Sequence, residues 1–329
     1  VADRKLPEAL SAFIASQIGA VAAYPEPDSA ALRGALGEQY AVSPQQIFVT
    51  NGSTEAFYVI AAAFRAGRSL VFSPAFAEYE DACRMHDHTL FFKSNLLIDE
   101  PLGVNVGLVW LANPNNPDGR LCPKAAIEKL LRLHSDTVFV VDEAYGELCR
   151  GFESVSELLA EFDNLIVVKS MTKQYILPGL RLGFMLTGKA LAARLQRFRI
   201  PWSVNAIAQR VGLYLLRNEK GSVATSDDLL QRSVVLQQQL STLPEIEVIP
   251  SPCNFFLVRL KEGDAATLKA FLIDGYGFLV RDASNFRGLD NRFIRISVQT
   301  GTENEQLFGA IRSFLEQRLK NKEQMNNVL

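Results

Sequence analysis

Asn164-Leu165-Ile166-Val167-Val168-Lys169-Ser170-Met171-Thr172-Lys173-Gln174-Tyr175-Ile176-Leu177-Pro178-Gly179-Leu180-Arg181-Leu182-Gly183 carries the two features on which the fold turns. The run from Leu165 to Val168 is apolar without a break, as in a strand buried on both faces. A lysine stands just past its end. An arginine follows eight residues later, at the start of a second apolar run over 182–186. In an open α/β sheet, ligands sit at the carboxyl ends of the strands. Taken alone, Lys173 reads as a solvated surface charge, and only the rest of the chain gives it another meaning.

Outward from that stretch, strand and helix patterns alternate. Strands are expected at 46–50, 69–73, 89–93, 106–112, 137–142, 165–170 and 182–186. Helices are expected at 29–40, 51–66, 76–85, 123–134, 154–162 and 189–199. This order predicts an α/β fold whose central, mostly parallel sheet is flanked by helices. Helical spacing continues over 204–217 and 225–243. The last third changes character, with strands at 247–250, 254–260, 277–281 and 292–298 and helices at 265–274 and 302–319. That is the pattern of a smaller α+β unit. Residues 320–329 are polar and expected to fray. The chain therefore divides into an N-terminal segment 1–28, a large domain 29–215 and a small C-terminal domain 216–329. Tyr24-Pro25-Glu26-Pro27-Asp28 breaks the first helical region as a loop, because two prolines fall within three residues. The 1–28 segment is expected to pack on the small domain or on a partner subunit.

With 329 residues, the chain is long enough for two cores. Its 48% hydrophobic and 21% charged content suits a globular enzyme. A net charge of −2 gives no sign of a nucleic-acid partner. No apolar run approaches the roughly 20 residues that span a bilayer, so no membrane partner is expected. Residues 1–7 lack the apolar stretch of a signal peptide. Cys83, Cys122, Cys149 and Cys253 are widely spaced, as for reduced thiols in a cytoplasmic protein. His86, His88 and His134 have no neighbours at ligand spacing, so no metal is expected.

Three further motifs point to the same ligand as the opening stretch. Asn51-Gly52-Ser53-Thr54 stands where a strand hands over to a helix. Free N–H groups and two hydroxyls there make an anion cup as readily as a plain helix cap. Asn113-Pro114-Asn115-Asn116-Pro117-Asp118-Gly119 is a turn-forming loop whose prolines fix the direction of Asn116. Asp142 ends the apolar strand that leads to Glu143-Ala144-Tyr145. A poorly solvated carboxylate needs a cation or a strong donor, and a protonated ring nitrogen would serve. Tyr145 stands close enough to share that pocket. Ser170, Lys173 and Arg181 add a hydroxyl, an amine and a guanidinium, and the guanidinium is suited to a bidentate grip on phosphate. Residues 183–190, Gly-Phe-Met-Leu-Thr-Gly-Lys-Ala, nearly match a nucleotide P-loop. They fail at Ala190, where magnesium binding needs a hydroxyl, and their centre reads as strand. No G-x-G-x-x-G pattern follows a strand.

Together the Asn-Pro loop, Asp-x-x-Tyr, Ser-x-x-Lys and the later arginine resemble the fold-type I pyridoxal-phosphate enzymes of the class I/II aminotransferase family. The resemblance runs over nearly the whole chain. It implies the aspartate aminotransferase-like fold, with the 29–215 domain holding pyridoxal 5′-phosphate. Lys173 would then carry the cofactor covalently and shuttle protons. Asp142 would keep the ring nitrogen protonated, and Asn116 and Tyr145 would bond the ring's phenolic oxygen. Gly52, Ser53, Ser170 and Arg181, with Thr54, would hold the phosphate. Phe76, with Tyr79 as the other candidate, would stack on the ring. Tyr24 would reach the cofactor phosphate of a neighbouring subunit, which makes the expected unit a homodimer. Arg295 would clasp the substrate α-carboxylate.

Within the family the chain looks closest to histidinol-phosphate aminotransferases and to L-threonine O-3-phosphate decarboxylases of cobalamin synthesis. Phe76-Ala77-Glu78-Tyr79, residues 200–205 (Ile-Pro-Trp-Ser-Val-Asn) and residues 285–295 favour the decarboxylase. Its reaction would release CO₂ from L-threonine O-3-phosphate and leave (R)-1-amino-2-propanol O-2-phosphate. The alternative is an aminotransferase acting on histidinol phosphate or a similar compound. Either substrate is small, amino-bearing and phosphorylated, and Arg281 is the candidate for its phosphate. Two departures from the family stand out. Asp118 replaces the usual threonine of the Asn-Pro loop, and the family's glycine-rich N-terminal segment is missing or begins before Val1.

Overall fold

The computed structural model describes residues 6–218 and 226–326; the expectations for 1–5, for Thr225 and for 327–329 lie outside them. The seven apolar runs of the first two thirds form one sheet. Its strands are β1 (Ile47–Thr50), β2 (Arg68–Ser73), β3 (Thr89–Ser94), β4 (Leu108–Ala112), β5 (Val138–Asp142), β6 (Leu165–Ser170) and β7 (Gly183–Thr187). Their spatial order is β1-β7-β6-β5-β4-β2-β3, and only β7 runs against its neighbours. β4, β5, β6 and β7 are buried at every position. That burial explains continuous rather than alternating hydrophobicity, because helices cover both faces.

The helices are α1 (Glu8–Ser16), α2 (Ala30–Tyr40), α3 (Gly52–Ala63), α4 (Glu78–Met85), α5 (Lys124–Leu133), α6 (Met171–Gln174), α7 (Lys189–Leu195), α8 (Ala206–Asn218), α9 (Ser226–Leu240), α10 (Ala265–Tyr276) and α11 (Gly301–Asn326). One core layer gathers Leu32, Leu36, Val109, Phe139, Val167 and Val211. The other gathers Phe57, Ile60, Trp110, Val140, Ile166 and Met185. Alternate residues of the same strands thus supply both layers, as the period of two requires. α1, expected to lean on the small unit or on a second subunit, packs on α8: Phe13 stacks on Tyr214 at 4.2 Å, and Leu10 is buried in the first layer.

A second sheet, β8 (Ile246–Ile249), β9 (Phe255–Leu260), β10 (Arg281–Asp282) and β11 (Phe293–Ser297), is antiparallel in the order β10-β11-β9-β8. α9, α10 and α11 close a separate core over it, with Leu236, Phe256, Leu268, Ile294 and Ile311 among its members.

Three local expectations are corrected. Over 154–162 there is only a 3₁₀ segment, Ser156–Ala160. The Glu143 carboxylate takes the Ser154 hydroxyl and the Val155 N–H, so the start of that segment is held from outside rather than by its own turn. Residues 277–280 are not strand: Gly277 ends α10 at φ +71°, and pairing begins at Arg281. Residues 320–326 do not fray but extend α11. Arg318 donates to the Glu262 carbonyl at 2.7 Å and Lys322 pairs with the Glu262 carboxylate, which ties the late turns to the β9–α10 loop.

Candidate active site

Register brings the site together. Ala112 of β4 lies beside Asp142 of β5, and Asp142 beside Val168 of β6. The segments that leave these strand ends, with α6 after β6, carry Asn116, Tyr145 and Lys173 to the carboxyl end of the sheet. Gly183 of β7 pairs with both Thr50 and Ser170. This places the start of α3 next to the segment that holds Arg181. A Cβ on Gly183 would lie 2.5 Å from the Ser53 nitrogen, so the glycine is what permits this approach. Gly52 adopts φ +76°, and a Cβ there would come 2.4 Å from Arg181 Nη2. Between Lys173 and Arg181 the β-branched Ile176 takes φ +55°, a conformation that costs about 1–3 kcal/mol and concentrates at functional sites.

A cavity of about 340 Å³ opens at this end. Ser53, Thr54, Phe76, Asn116, Asp142, Tyr145, Ser170, Lys173, Arg181, Arg281 and Arg295 all line it. Gly52 stands behind Arg181. Tyr24 is elsewhere: it is 88% exposed and near Trp202, with ring centroids 5.8 Å apart, at a separate surface hollow. Five wall residues were given no role from sequence: Ala112, Pro114, Ala144, Thr172 and Phe286. Thr172 shares a 2.7 Å hydrogen bond with Ser170. The spacing of Ser170 and Thr172, two apart at a strand end, was the available signal. Phe286 lies in the 285–295 stretch that resembles the decarboxylases, but nothing in that stretch marked its side chain for the cavity wall.

Asp142 is buried, reached only from the cavity. Tyr79 donates to its Oδ2 at 2.5 Å and the Ala144 N–H to its Oδ1 at 3.0 Å. Burial still outweighs both donors and pushes the carboxyl up to about 6. Tyr79 is itself buried and stacked on Trp110, so it acts beneath the cavity rather than as a wall over it. Burial, and then the Asp142 charge, hold its phenol well above the usual range. Lys173 Nζ lies 5.3 Å from the centre of the Tyr145 ring. On the small-sheet side, Arg281 and Arg295 are direct partners across β10 and β11. Like charges placed so are unfavourable unless an anion answers them. Arg295 donates to the Asn116 amide oxygen, while its Nε is buried without a partner. Burial lowers the Arg295 pKa, the neighbouring Tyr145 raises it, and Arg281 lowers it further.

These residues fit pyridoxal 5′-phosphate. The first turn of α3 leaves its N–H groups without helical partners, and Arg181 is packed tightly against that turn. The buried carboxylate of Asp142 calls for a cation, which a protonated ring nitrogen supplies. The lysine between them offers an amine, and the cavity volume suits a small-molecule site. Among the described residues there is no cluster that could hold a metal ion and no helix long and apolar enough to cross a membrane.

Comparison with known proteins agrees with this geometry. The sequence profile described as aminotransferase class I and II matches residues 2–314. The crystal structure of an L-threonine-O-3-phosphate decarboxylase from Porphyromonas gingivalis superimposes with a TM-score of 0.91 at 40% identity, covering 94% of this chain and 95% of that one. A threonine-phosphate decarboxylase of Salmonella typhimurium is 28% identical over 94% of this chain and 88% of its own length. Histidinol-phosphate aminotransferase 1 of Bordetella parapertussis is 32% identical over 93% and 88%.

Proposed function

The chain belongs to the aminotransferase class I and II family, whose cofactor is pyridoxal 5′-phosphate, and on that premise we propose that it decarboxylates L-threonine O-3-phosphate to (R)-1-amino-2-propanol O-2-phosphate and CO₂. The observation that carries this reading is the pair Arg281 and Arg295, side by side on the wall that faces Lys173. Two neighbouring cations suit a substrate with two anionic groups. L-threonine O-3-phosphate has a carboxylate and a phosphate; histidinol phosphate has only the phosphate. The decarboxylases of Porphyromonas gingivalis and Salmonella typhimurium support the same choice.

Bound pyridoxal 5′-phosphate supplies an electron-accepting ring that spreads the electron pair left on the substrate Cα when a bond to it breaks. The chain's own residues do the rest. Lys173 would hold the cofactor covalently and, once displaced by the substrate amine, carry a proton to Cα. Asp142, oriented by Tyr79, would keep the ring nitrogen charged. Gly52, Ser53, Thr54, Ser170 and Arg181 would grip the cofactor phosphate. Asn116 and Tyr145 would hold the phenolic oxygen, with Phe76 against the ring. Arg295 would orient the substrate carboxylate and Arg281 its phosphate, so that the bond to the carboxylate is the one broken.

Transamination of histidinol phosphate is the alternative, favoured by the Bordetella parapertussis relative. It requires a keto acid, whereas decarboxylation does not. CO₂ release from L-threonine O-3-phosphate without added keto acid separates the two.

We place the domain boundaries at 1–28, 29–215 and 216–329; α8 joins the core of the larger sheet and α9 that of the smaller. Ile18, Val21, Tyr24 and Trp202 are each more than half exposed, along a hollow of about 460 Å³ lined in part by Val21, Tyr24 and Trp202. A second copy of the chain is proposed to cover this face, with Tyr24 directed at the partner's site. The protein is proposed to work in the cytoplasm.

A further inference from the structure

The 283–292 loop between β10 and β11 supplies Phe286 to the cavity wall, and Arg281 stands just before it. On its inner side, Phe286 packs with Leu257, Ala283, Leu289 and Phe293 of the small unit. Arg281 donates to the Asn285 amide oxygen at 3.0 Å, so this arginine is carried by the loop's own conformation. The next residue after Phe286 reaches the other way. Arg287 donates to Glu80 of α4 through Nε at 3.0 Å and Nη2 at 2.8 Å, a two-pronged grip on one carboxylate. Its guanidinium also lies over the Phe92 ring of β3, 3.8 Å from the centre. Gly288, at φ +88°, turns the chain directly afterwards.

The far end of this bridge is equally close to the site. Glu80 follows Tyr79, which holds Asp142, and Phe76 stands one helical turn earlier on the cavity wall. The Glu80 side chain is 19% exposed and also meets Arg84 at 2.5 Å. The grip of Arg287, together with Arg84, keeps its carboxyl below the usual range. A lone surface ion pair contributes little to stability. Here the consequence is geometric, because the pair joins the two walls of the cavity next to the residues that line it.

We infer that Glu80 and Arg287 are positioning residues: their ion pair latches the 283–292 loop across the cavity mouth and sets Phe286 and Arg281 against the phosphorylated end of the substrate. The substrate half of this inference rests on the reading in the preceding section; the latch itself does not.

The test uses the full chain loaded with pyridoxal 5′-phosphate, as wild type, Glu80→Ala, Arg287→Ala and the double variant. A charge reversal is unsuitable, because an arginine at position 80 would face Arg84. Two readouts are taken. The first is hydrogen exchange at the Phe286 and Leu289 amides, which close the loop on the Ala283 and Phe286 carbonyls. It is expected to rise at least tenfold in each single variant and no further in the double. The second is steady-state turnover of L-threonine O-3-phosphate. KM is expected to rise about tenfold with kcat changed less than twofold, and cofactor affinity to stay the same. Unchanged exchange in Arg287→Ala, or effects that multiply in the double variant, would overturn the latch. Increased exchange with an unchanged KM would overturn its role toward substrate. If the wild type fails to turn over this substrate, the assigned reaction falls, and exchange still decides the latch.

Discussion

Tyr79 donates its phenolic hydrogen to Oδ2 of Asp142 at 2.5 Å, from a ring that is 1% exposed and stacked on Trp110. The tyrosine therefore sets both the direction and the acidity of the carboxylate proposed to face the cofactor ring. Tyr79→Phe keeps the packing and removes the donor. Hydrogen bonds to charged groups contribute roughly 1.5–3 kcal/mol, so the Asp142 pKa rises above its value of about 6. Titrating cofactor into the protein at a series of pH values should show the binding midpoint shifted upward and affinity at pH 7 reduced about tenfold. An unchanged midpoint would show that Tyr79 only fills space.

Asp142 also links the cofactor to pH. Its folded pKa is raised from the ordinary 3.8 to about 6, with burial the leading cause. The cofactor-free protein thus has its full relative stability below the unfolded value and loses it as pH rises through the window from about 4 to 6. The loss is on the order of 3 kcal/mol. A cationic ring nitrogen relieves that cost. The gain in Tm on adding cofactor should therefore be larger at pH 7 than at pH 5, and Asp142→Asn should flatten the dependence. An equal gain at both pH values in the wild type would contradict the assignment.

Gly52→Ala tests the anion cup. The new methyl meets Arg181 Nη2, and the backbone sits at φ +76°. An arginine tip moves easily, so the fold should survive at a cost of about 1 kcal/mol. The displaced guanidinium is the group that would grip phosphate. Cofactor affinity should fall more than tenfold while the circular dichroism spectrum is retained. Retained affinity would remove Arg181 and Gly52 from the site.

The strands of the large sheet and its mostly parallel character were legible in the sequence, because the central strands are buried on both faces and read as unbroken apolar runs; the spatial order of the strands was not. Lys173, Asp142 and Asn116 were legible because each follows such a run. Other features were hidden for identifiable reasons. Tyr79 read as a candidate for ring stacking, since sequence does not reveal which way a helical side chain points. Phe286 and Arg287 join the site only through the pairing of β10 with β11. Lys169 and Glu143 sit beside Ser170 and Asp142 but carried no signal of their partnership.

That partnership gives a stability prediction. Lys169 Nζ and Glu143 Oε2 are 2.9 Å apart, with side chains 8% and 0% exposed. Burial disfavours the Lys169 ammonium, but the Glu143 charge and hydrogen bond beside it prevail and hold it well above its usual range. Lys169→Met leaves a buried carboxylate with its Ser154 and Val155 donors but without its counter-charge, and should cost about 3–5 kcal/mol in chemical denaturation. A loss below 1 kcal/mol would mean that Glu143 finds another partner or takes up a proton.

The central claim is that this cavity breaks the bond to the carboxylate rather than the Cα–H bond of a phosphorylated amino acid. Protein loaded with pyridoxal 5′-phosphate is incubated with carboxyl-labelled L-threonine O-3-phosphate, with and without 2-oxoglutarate, and released label is counted. CO₂ release is expected to be stoichiometric, independent of the keto acid and lost in Lys173→Ala. Turnover that needs 2-oxoglutarate, yields glutamate and leaves the carboxylate in place would contradict it.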